Sequence, residues 1–485
     1  MARVPFNFKI IFKILGFLLF IEAFFMLVTA GIGYLYHEND LHIFLRSAGY
    51  TFAAGLVLAL MGRHPRSDIG KHESFVIVTL VWVLFSLFGS IPFYLSGSFS
   101  CYTDAFFESM SGFSTTGSSI LKDIETLSHP ILFWRSIIQW LGGMGIIMLS
   151  LAIMPMIKFG SFQLFTAEFT GPVYEKLRPR LTETAKLIWF IYFGLTLAET
   201  ILLAIGPMDW FDAVCHSLTT MASGGFSTRN ASIGYWNSMY VETVVTIFMF
   251  LAGTSFILMF WMFTGHLDKV RHNEEFHWYL LIVCVGSILL ALLLHFLQDE
   301  PLGKAVRDGI FHVIAIVTTT GFTTAEFSGW NHCIQFLLVL LMCSGAMSGS
   351  TSGNIKIGRI ILSFKTCFNE MKRDIHPNAV LPVVFNNKAM PQSAITSLFG
   401  FLFFYLVLLI LSTGLFFSLG LEMDESLGVA LTSIGNIGPG LGDYFTSFAT
   451  LPAFAKWWMT FLMLVGRLEI YTVLLLFSKD FWVRA

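Results

Sequence analysis

The chain is poor in charge. Only 12% of its 485 residues are Asp, Glu, Lys or Arg, about half the share of a soluble domain, so most of its length is not built to face water. It has no nucleotide fingerprint, since neither GxGxxG nor GxxxxGK[ST] occurs in a strand-to-helix context, and no His/Glu motif has the spacing of metal ligands. An enzyme is therefore not expected, and no cofactor either. The six cysteines contain no CxxC pair and read mainly as small core residues. Gly142-Gly143-Met144-Gly145 comes nearest to a glycine-rich loop, but it is followed by apolar sequence and reads as close helix packing.

What is present in excess is apolar sequence, 55% of the residues, in runs long enough to cross a bilayer. The chain is organised around one piece that recurs four times. The units read DAFFESMSGFSTTG (104–117), DAVCHSLTTMASGG (212–225), DGIFHVIAIVTTTG (308–321) and ESLGVALTSIGNIG (425–438). Each starts on an acid, Asp104, Asp212, Asp308 or Glu425, and ends at the same offset on a glycine, Gly117, Gly225, Gly321 or Gly438. Repetition at this scale speaks of architecture before chemistry.

One unit predicts a short helix, capped by its leading acid, that delivers the chain into a polar turn. Ten to fourteen residues cannot cross roughly 30 Å of hydrocarbon, so the segment is re-entrant. Irregular backbone at that depth is tolerable only when buried in protein or lining a water-filled cavity, and four copies around one axis supply such a cavity. Helix C-termini and loop carbonyls aimed inward favour a cation. The expected ligands are the carbonyls of Thr115, Thr116 and Gly117, of Ser223, Gly224 and Gly225, of Thr319, Thr320 and Gly321, and of Asn436, Ile437 and Gly438, with threonine hydroxyls secondary.

In chain order, apolar spans are expected at 8–36 and 43–61, an added pair without a copy of the unit. Each unit is then entered and left by a span: 74–95 and 131–157, 185–206 and 238–263, 277–297 and 333–365, 395–420 and 456–478. The chain thus divides into 1–72, the added pair, and repeats at 73–182, 183–275, 276–391 and 392–485. Polar stretches at 158–183 and 369–392 are expected outside the bilayer. As one straight helix, 333–365 would measure about 50 Å at about 1.5 Å per residue, well beyond the hydrocarbon thickness. It is interrupted by Ser344-Gly345-Ala346-Met347-Ser348-Gly349-Ser350-Thr351-Ser352-Gly353-Asn354, small and hydroxyl-bearing residues that make a poor helix. We expect a helix broken by an intramembrane loop, a movable obstruction below the four turns, with Gly345, Gly349 and Gly353 as its pliable points. It is the only grossly broken exit helix expected. Arg467 falls near the middle of the last span, two residues from Glu469. It faces either the cavity, where it raises the barrier to a cation, or a buried acid.

Lys and Arg gather on one side: Arg3, Lys9, Lys13, Arg63, Arg66, Lys71, Lys158, Lys176, Arg178, Arg180, Lys186, Lys269, Arg271, Arg359, Lys365, Lys372, Arg373, Lys388, Lys479 and Arg484, with Lys122, Lys304 and Arg307 as exceptions. That side is cytoplasmic, with both termini. The other side carries Asp104, Asp123, Glu125, Asp209, Asp212, Asp299, Glu300, Glu422, Asp424, Glu425 and Asp443, an acidic mouth that concentrates cations.

The FSTTG, SGGFST, TTTGFTT and GNIGPG turns, the glycine-rich break and Arg467 together resemble the Trk/Ktr/HKT superfamily of bacterial potassium transport proteins, its TrkH-like membrane subunits in particular. The likeness covers essentially the whole chain. It implies an all-α integral membrane protein of the inner membrane, with four pseudo-repeated helix/pore-loop/helix units around one potassium pathway plus two extra N-terminal transmembrane helices. It further implies filter glycines at Gly117, Gly225, Gly321 and Gly438, a gate at 344–354 and an arginine below the filter at Arg467. The partners it implies are a second copy of the chain in a homodimer and a cytosolic nucleotide-binding regulatory subunit (TrkA-like), with lipid around the chain and no nucleic acid. Relative to the TVGYG of potassium channels, only one glycine is shared by all four turns. The alternative class is a sodium- or proton-coupled secondary carrier, which also uses broken helices and midplane sites.

Overall fold

Long uninterrupted apolar runs give long straight helices. Among the described residues, six meet the length and hydropathy of a membrane span: Phe8–Leu35, Leu41–Met61, His72–Leu95, Ala185–Ile205, Glu274–Leu297 and Gln392–Ser418. The computed structural model describes residues 6–64, 70–143, 145 and 181–482. The first two helices are the added pair, and the other four enter the repeats. Polar residues start two of them, the Asn7 side chain accepting from the Ile10 amide and that of Asn273 from the Phe276 amide. Their outer faces expose Phe190, Ile205, Ile288, Phe296, Phe403 and Ile410. Such exposure would be ruinous in water, but lipid tails are as apolar as the side chains. The added pair meets at glycine: a β-carbon on Gly16 would lie 2.6 Å from the Gly55 carbonyl oxygen.

The four repeated units form Tyr102–Phe113, Trp210–Met221, Leu302–Val317 and Met423–Gly435. These pore helices are too short to cross a bilayer and are buried along most of their length. The leading acids do not act as predicted. The N-caps are Cys101, Asp209, Pro301 and Glu422, and the repeated acids sit further into the helix. Three of them tie down the chain that leaves their own turn, and Asp104 holds the fourth exit helix instead. Asp212 accepts from the Thr228 hydroxyl at 2.7 Å, and Asp308 from the Thr324 hydroxyl at 3.2 Å, the same offset in two repeats. Asp104 binds Lys456 at 2.7 Å, and Glu425 accepts from the Asp443 amide at 3.3 Å. An acid placed one turn in reaches sideways, and that reach is what the spacing encodes.

The exit helices depart most from expectation. Two were predicted straight and are bent instead: Met239–Ala252 turns through 107° into Phe256–Phe263, and Ala453–Arg467 through 112° into Tyr471–Phe477. The 333–365 span is broken as predicted, into His332–Met342 and Ile357–Ile375. The physical reason for the second-repeat bend is Gly253-Thr254-Ser255, whose freed backbone groups find partners across the molecule. The Phe256 amide donates to Gly349 O and Gly253 O accepts from the Met347 amide, both at 3.1 Å. In the fourth repeat Glu469 and Ile470 take positive φ at the bend. The first exit helix is described over His129–Gly143. The rest of the 131–157 span and most of 158–183 lie outside the described residues, as do Arg3, Arg66 and Arg484. The stretch 369–392, expected to be plain polar linker, contains a hairpin. Val384–Phe385 pairs antiparallel with Lys388–Ala389 across Asn386 and Asn387, both at positive φ.

The first exit helix carries a buried ion pair. Arg135 and Glu108 are 1% and 0% exposed, with Nε to Oε1 at 2.9 Å. Glu108 also accepts from the Ser119 hydroxyl and the Ile120 amide, and Arg135 donates to Ser227 O at 3.0 Å. The pair thereby joins the chain after the first turn to the chain after the second. Removing one charge strands the other. We expect Arg135→Leu to lose about 3–5 kcal/mol, and the double variant Glu108→Gln/Arg135→Leu to recover part of it, measured by thermal unfolding in detergent. Equal midpoints for wild type and Arg135→Leu would contradict this.

Candidate ion pathway

The four turns share one backbone conformation. Thr115, Ser223, Thr319 and Asn436, each two residues before the repeated glycine, have φ of 55°, 54°, 56° and 53°. The glycines follow at 83°, 75°, 75° and 115°. A left-handed residue that is not glycine costs on the order of 1 kcal/mol, and here it occurs four times at the same place. The residue between the two folds its N–H back onto its own pore helix: Thr116 to Ser111 O, Gly224 to Thr219 O, Thr320 to Ala315 O, Ile437 to Thr432 O, at 2.9–3.1 Å. With its N–H turned to the helix, each of these residues leaves its carbonyl for the axis.

The carbonyls meet glycines of the neighbouring turn. A β-carbon on Gly117 would lie 2.1 Å from Gly224 O, one on Gly225 1.9 Å from Thr320 O, and one on Gly321 2.0 Å from Ile437 O. One on Gly438 would lie 3.1 Å from Thr116 O, which returns to the first turn. The turns therefore close a ring in chain order around one axis, and all twelve residues predicted as ligands sit in it. Glycine is required twice over, by φ and by this approach. Above the ring, a cavity of about 90 Å³ is lined by all four glycines with Ser118, Phe226 and Pro439.

The hydroxyls do other work. Those of Thr116 and Thr320 bond to Ser114 and Thr318 at 2.7 and 2.8 Å. The side chains at the left-handed positions engage a second layer. Thr115 Oγ1 accepts from Arg467 at 3.1 Å, Ser223 Oγ pairs with Thr351 Oγ1 at 2.8 Å, and Thr319 Oγ1 accepts from the Gly353 amide at 2.8 Å. Asn436 Nδ2 donates to Thr116 Oγ1 at 2.8 Å and to Met463 O at 3.1 Å.

The contacts of Ser223 and Thr319 are to the interrupted segment between His332–Met342 and Ile357–Ile375. It is folded on itself, Gly345 N donating to Ile355 O at 2.8 Å and Ile357 N to Ala346 O at 3.1 Å. Each predicted glycine has a reason. A β-carbon on Gly345 would lie 2.4 Å from Gly353 O, one on Gly353 2.6 Å from Gly435 O, and Gly349 has φ of 79°. The Glu275 carboxylate accepts from the amides of Ser348 at 2.7 Å and Gly358 at 2.9 Å, which ties the middle of the segment to the first turn of the helix that follows it.

Arg467 ends its helix just before the 112° bend, rather than lying midway along a straight span. It donates to Thr351 O at 2.8 Å and to Gly142 O and Gly143 O at 2.7 and 2.9 Å, besides Thr115. Glu469 pairs with Arg359. So one cation joins the first turn, the interrupted segment and the first exit helix.

At the outer mouth, Asp104, Asp212 and Glu300 of the predicted acids pair with Lys456, Arg229 and Lys304. Glu242, not among the predicted acids, pairs with Arg307, and Arg135 and Arg229 line the cavity. Sequence reasoning missed Glu108, Arg135 and Gln139, polar residues in apolar runs, and read Glu275 only as the end of a charged loop. The available signal was the cost of such a group in the bilayer, the argument used for Arg467 alone.

The chain's residues 42–483 match the family described as TrkH, cation transport protein. It is 37% identical to the Trk system potassium uptake protein TrkH of Salmonella typhimurium over 98% of this chain and 99% of that one. It is 30% identical to the Trk system potassium uptake protein TrkG of Escherichia coli over 98% of each. The crystal structure of the potassium transporter TrkH from Vibrio parahaemolyticus matches with a TM-score of 0.89 at 31% identity, covering 99% of this chain and 100% of that one.

A unit charge several ångströms from a monovalent cation contributes on the order of a few kcal/mol of repulsion at an effective dielectric of about 20. Arg467→Ala removes that charge and the bonds to Thr351 and Thr115. Larger unitary currents and a higher basal leak are expected from it, with Arg467→Lys between the two. An unchanged current together with a large loss of stable protein would assign Arg467 a structural role instead.

Proposed function

The chain belongs to the TrkH family of cation transport proteins, and on that footing we propose that it takes up potassium through a gated pore whose ions are held by the carbonyls of residues 115–117, 223–225, 319–321 and 436–438. The observation that carries this reading is the closed ring, in which each glycine faces the carbonyl of the next turn. Four carbonyl dipoles converging where no water competes replace part of an ion's hydration shell. Among these carbonyls, those of Thr116, Gly224, Thr320 and Ile437 are the nearest to the neighbouring glycines. One ring about one axis suits a pore better than a carrier, whose sites lie between two moving halves.

In this reading the interrupted segment, with Gly345, Gly349 and Gly353, is the gate, and Arg467 is its anchor. Opening withdraws Thr351 from Ser223 and Gly353 from Thr319. The cytoplasmic side takes the basic loops and both termini, and the fourfold division at 73–182, 183–275, 276–391 and 392–485 describes one quadrant per repeat. A homodimer and a cytosolic nucleotide-binding subunit of TrkA type are the partners we assign. The 384–389 hairpin supports the second, because its Asn386 side chain accepts from the Glu274 amide at 2.8 Å, and the adjacent Glu275 holds the gate. A push on the hairpin thus reaches the gate through two consecutive residues.

Two measurements test this. Gly321→Ala must strain φ and collide with Ile437 O, so the potassium-to-sodium permeability ratio should fall about tenfold, equivalent to about 1.4 kcal/mol. Gly414→Ala, where a β-carbon meets nothing within 4 Å, should leave it unchanged. Equal bi-ionic reversal potentials for wild type and Gly321→Ala would sink the filter assignment. For the partner, ATP, ADP or NADH should leave the flux of the purified chain alone in vesicles unaltered, and a nucleotide response there would overturn the division of labour.

A further inference from the structure

The ring is not symmetric at its most constrained level. Of the four residues just before the repeated glycines, three carry their own side chains, Thr116, Thr320 and Ile437, and the fourth is Gly224. The space a side chain would fill there is taken by Gln139, from the first exit helix and 0% exposed. A β-carbon on Gly224 would lie 2.4 Å from Gln139 Cδ and 2.8 Å from its Nε2. Gln139 Nε2 donates to Gly224 O at 2.7 Å, and its Oε1 accepts from the Phe226 amide at 3.1 Å. The amide orientation is determined, because the flipped form would set two donors and two acceptors against each other. Among the described residues, the carbonyl oxygens of Thr116, Thr320 and Ile437 accept no such bond.

We propose that Gln139 is a positioning residue of the selectivity filter: its amide clamps the Gly224–Phe226 backbone so that the Gly224 carbonyl stays at the ring radius suited to potassium. This rests on the reading of the four turns as the filter. The chemistry is that of a two-point brace. A carbonyl has two lone pairs; the Gln139 N–H takes one and leaves the other for an ion. With the Phe226 N–H held at the same time, the peptides on both sides of Gly225 cannot rotate. Sodium needs shorter oxygen distances than potassium, so a ring that could shrink would accept it better. The brace prevents one quarter of the ring from shrinking. Gln139 never touches the ion; it acts through Gly224.

The experiment compares bi-ionic K⁺/Na⁺ reversal potentials of the full chain in planar bilayers for wild type, Gln139→Leu, Gln139→Met and Gly321→Ala. Leucine and methionine keep most of the bulk and lose both bonds. Both should lower the permeability ratio by about fivefold, the worth of roughly one net hydrogen bond. If the leucine variant yields no folded protein, the unbranched and near-isosteric methionine variant decides. Wild-type ratios in the folded Gln139 variants, beside a lowered ratio in Gly321→Ala, overturn this inference alone; no shift in any of them removes the filter reading as well. The double variant Gly224→Ala/Gln139→Ala separates clamping from filling, since it restores a side chain to the loop and relieves the clash. Clamping predicts a folded protein whose ratio stays low, and a restored ratio would show that Gln139 only fills space.

Discussion

Within hydrocarbon every backbone N–H must find an acceptor inside the protein. The four turns satisfy this by sending the N–H of Thr116, Gly224, Thr320 and Ile437 back to their own pore helices. The rest follows from that choice. Once the N–H groups face the helices, the carbonyls face the axis. The residue before must then be left-handed, and the glycine after it must be bare. The pore helix has to be short so that its C-terminus stops at the level of the turn, and the acid within it fixes the departing chain in three repeats and the fourth exit helix in the first.

Much of this was legible in the sequence. The repeated acid and glycine mark the pore helix and the turn, and the run from Ser344 to Asn354 marks the break, because small residues in such number cannot sustain a helix. The left-handed residues before the glycines were not legible as such. Thr115, Ser223, Thr319 and Asn436 share polarity but not identity, and the strain they bear is set by tertiary packing. The bends at Gly253–Ser255 and Leu468–Ile470 escaped for a similar reason. An apolar run reads as straight, and whether its freed backbone groups have partners elsewhere cannot be seen along one dimension. Met347 and Gly349, which satisfy the first bend, lie far along the chain from it.

Several of the interactions that join repeats are polar and buried. Arg135 and Gln139 come from the first exit helix and act on the second turn; Arg467 comes from the fourth and acts on the first turn and the interrupted segment. Each is a costly residue in an apolar span, acceptable because its donors end on backbone oxygens or an acid. A helix that carries such a side chain is fixed in rotation as well as depth, so these contacts set the register between quadrants that apolar packing leaves loose.

That the ring is closed by four turns of a single chain, in chain order, bears on how such a protein can change. In an assembly of four identical subunits, any substitution in a turn is made four times at once. Here it is made once. Three quadrants keep the ion surrounded while the fourth is altered, so each quarter is free to drift by itself. Ile437 beside Gly438 and Gly224 beside Gly225, where the other turns have threonine, are single-quadrant differences of this kind, and at Gly224 the Gln139 side chain of the neighbouring quadrant fills the space.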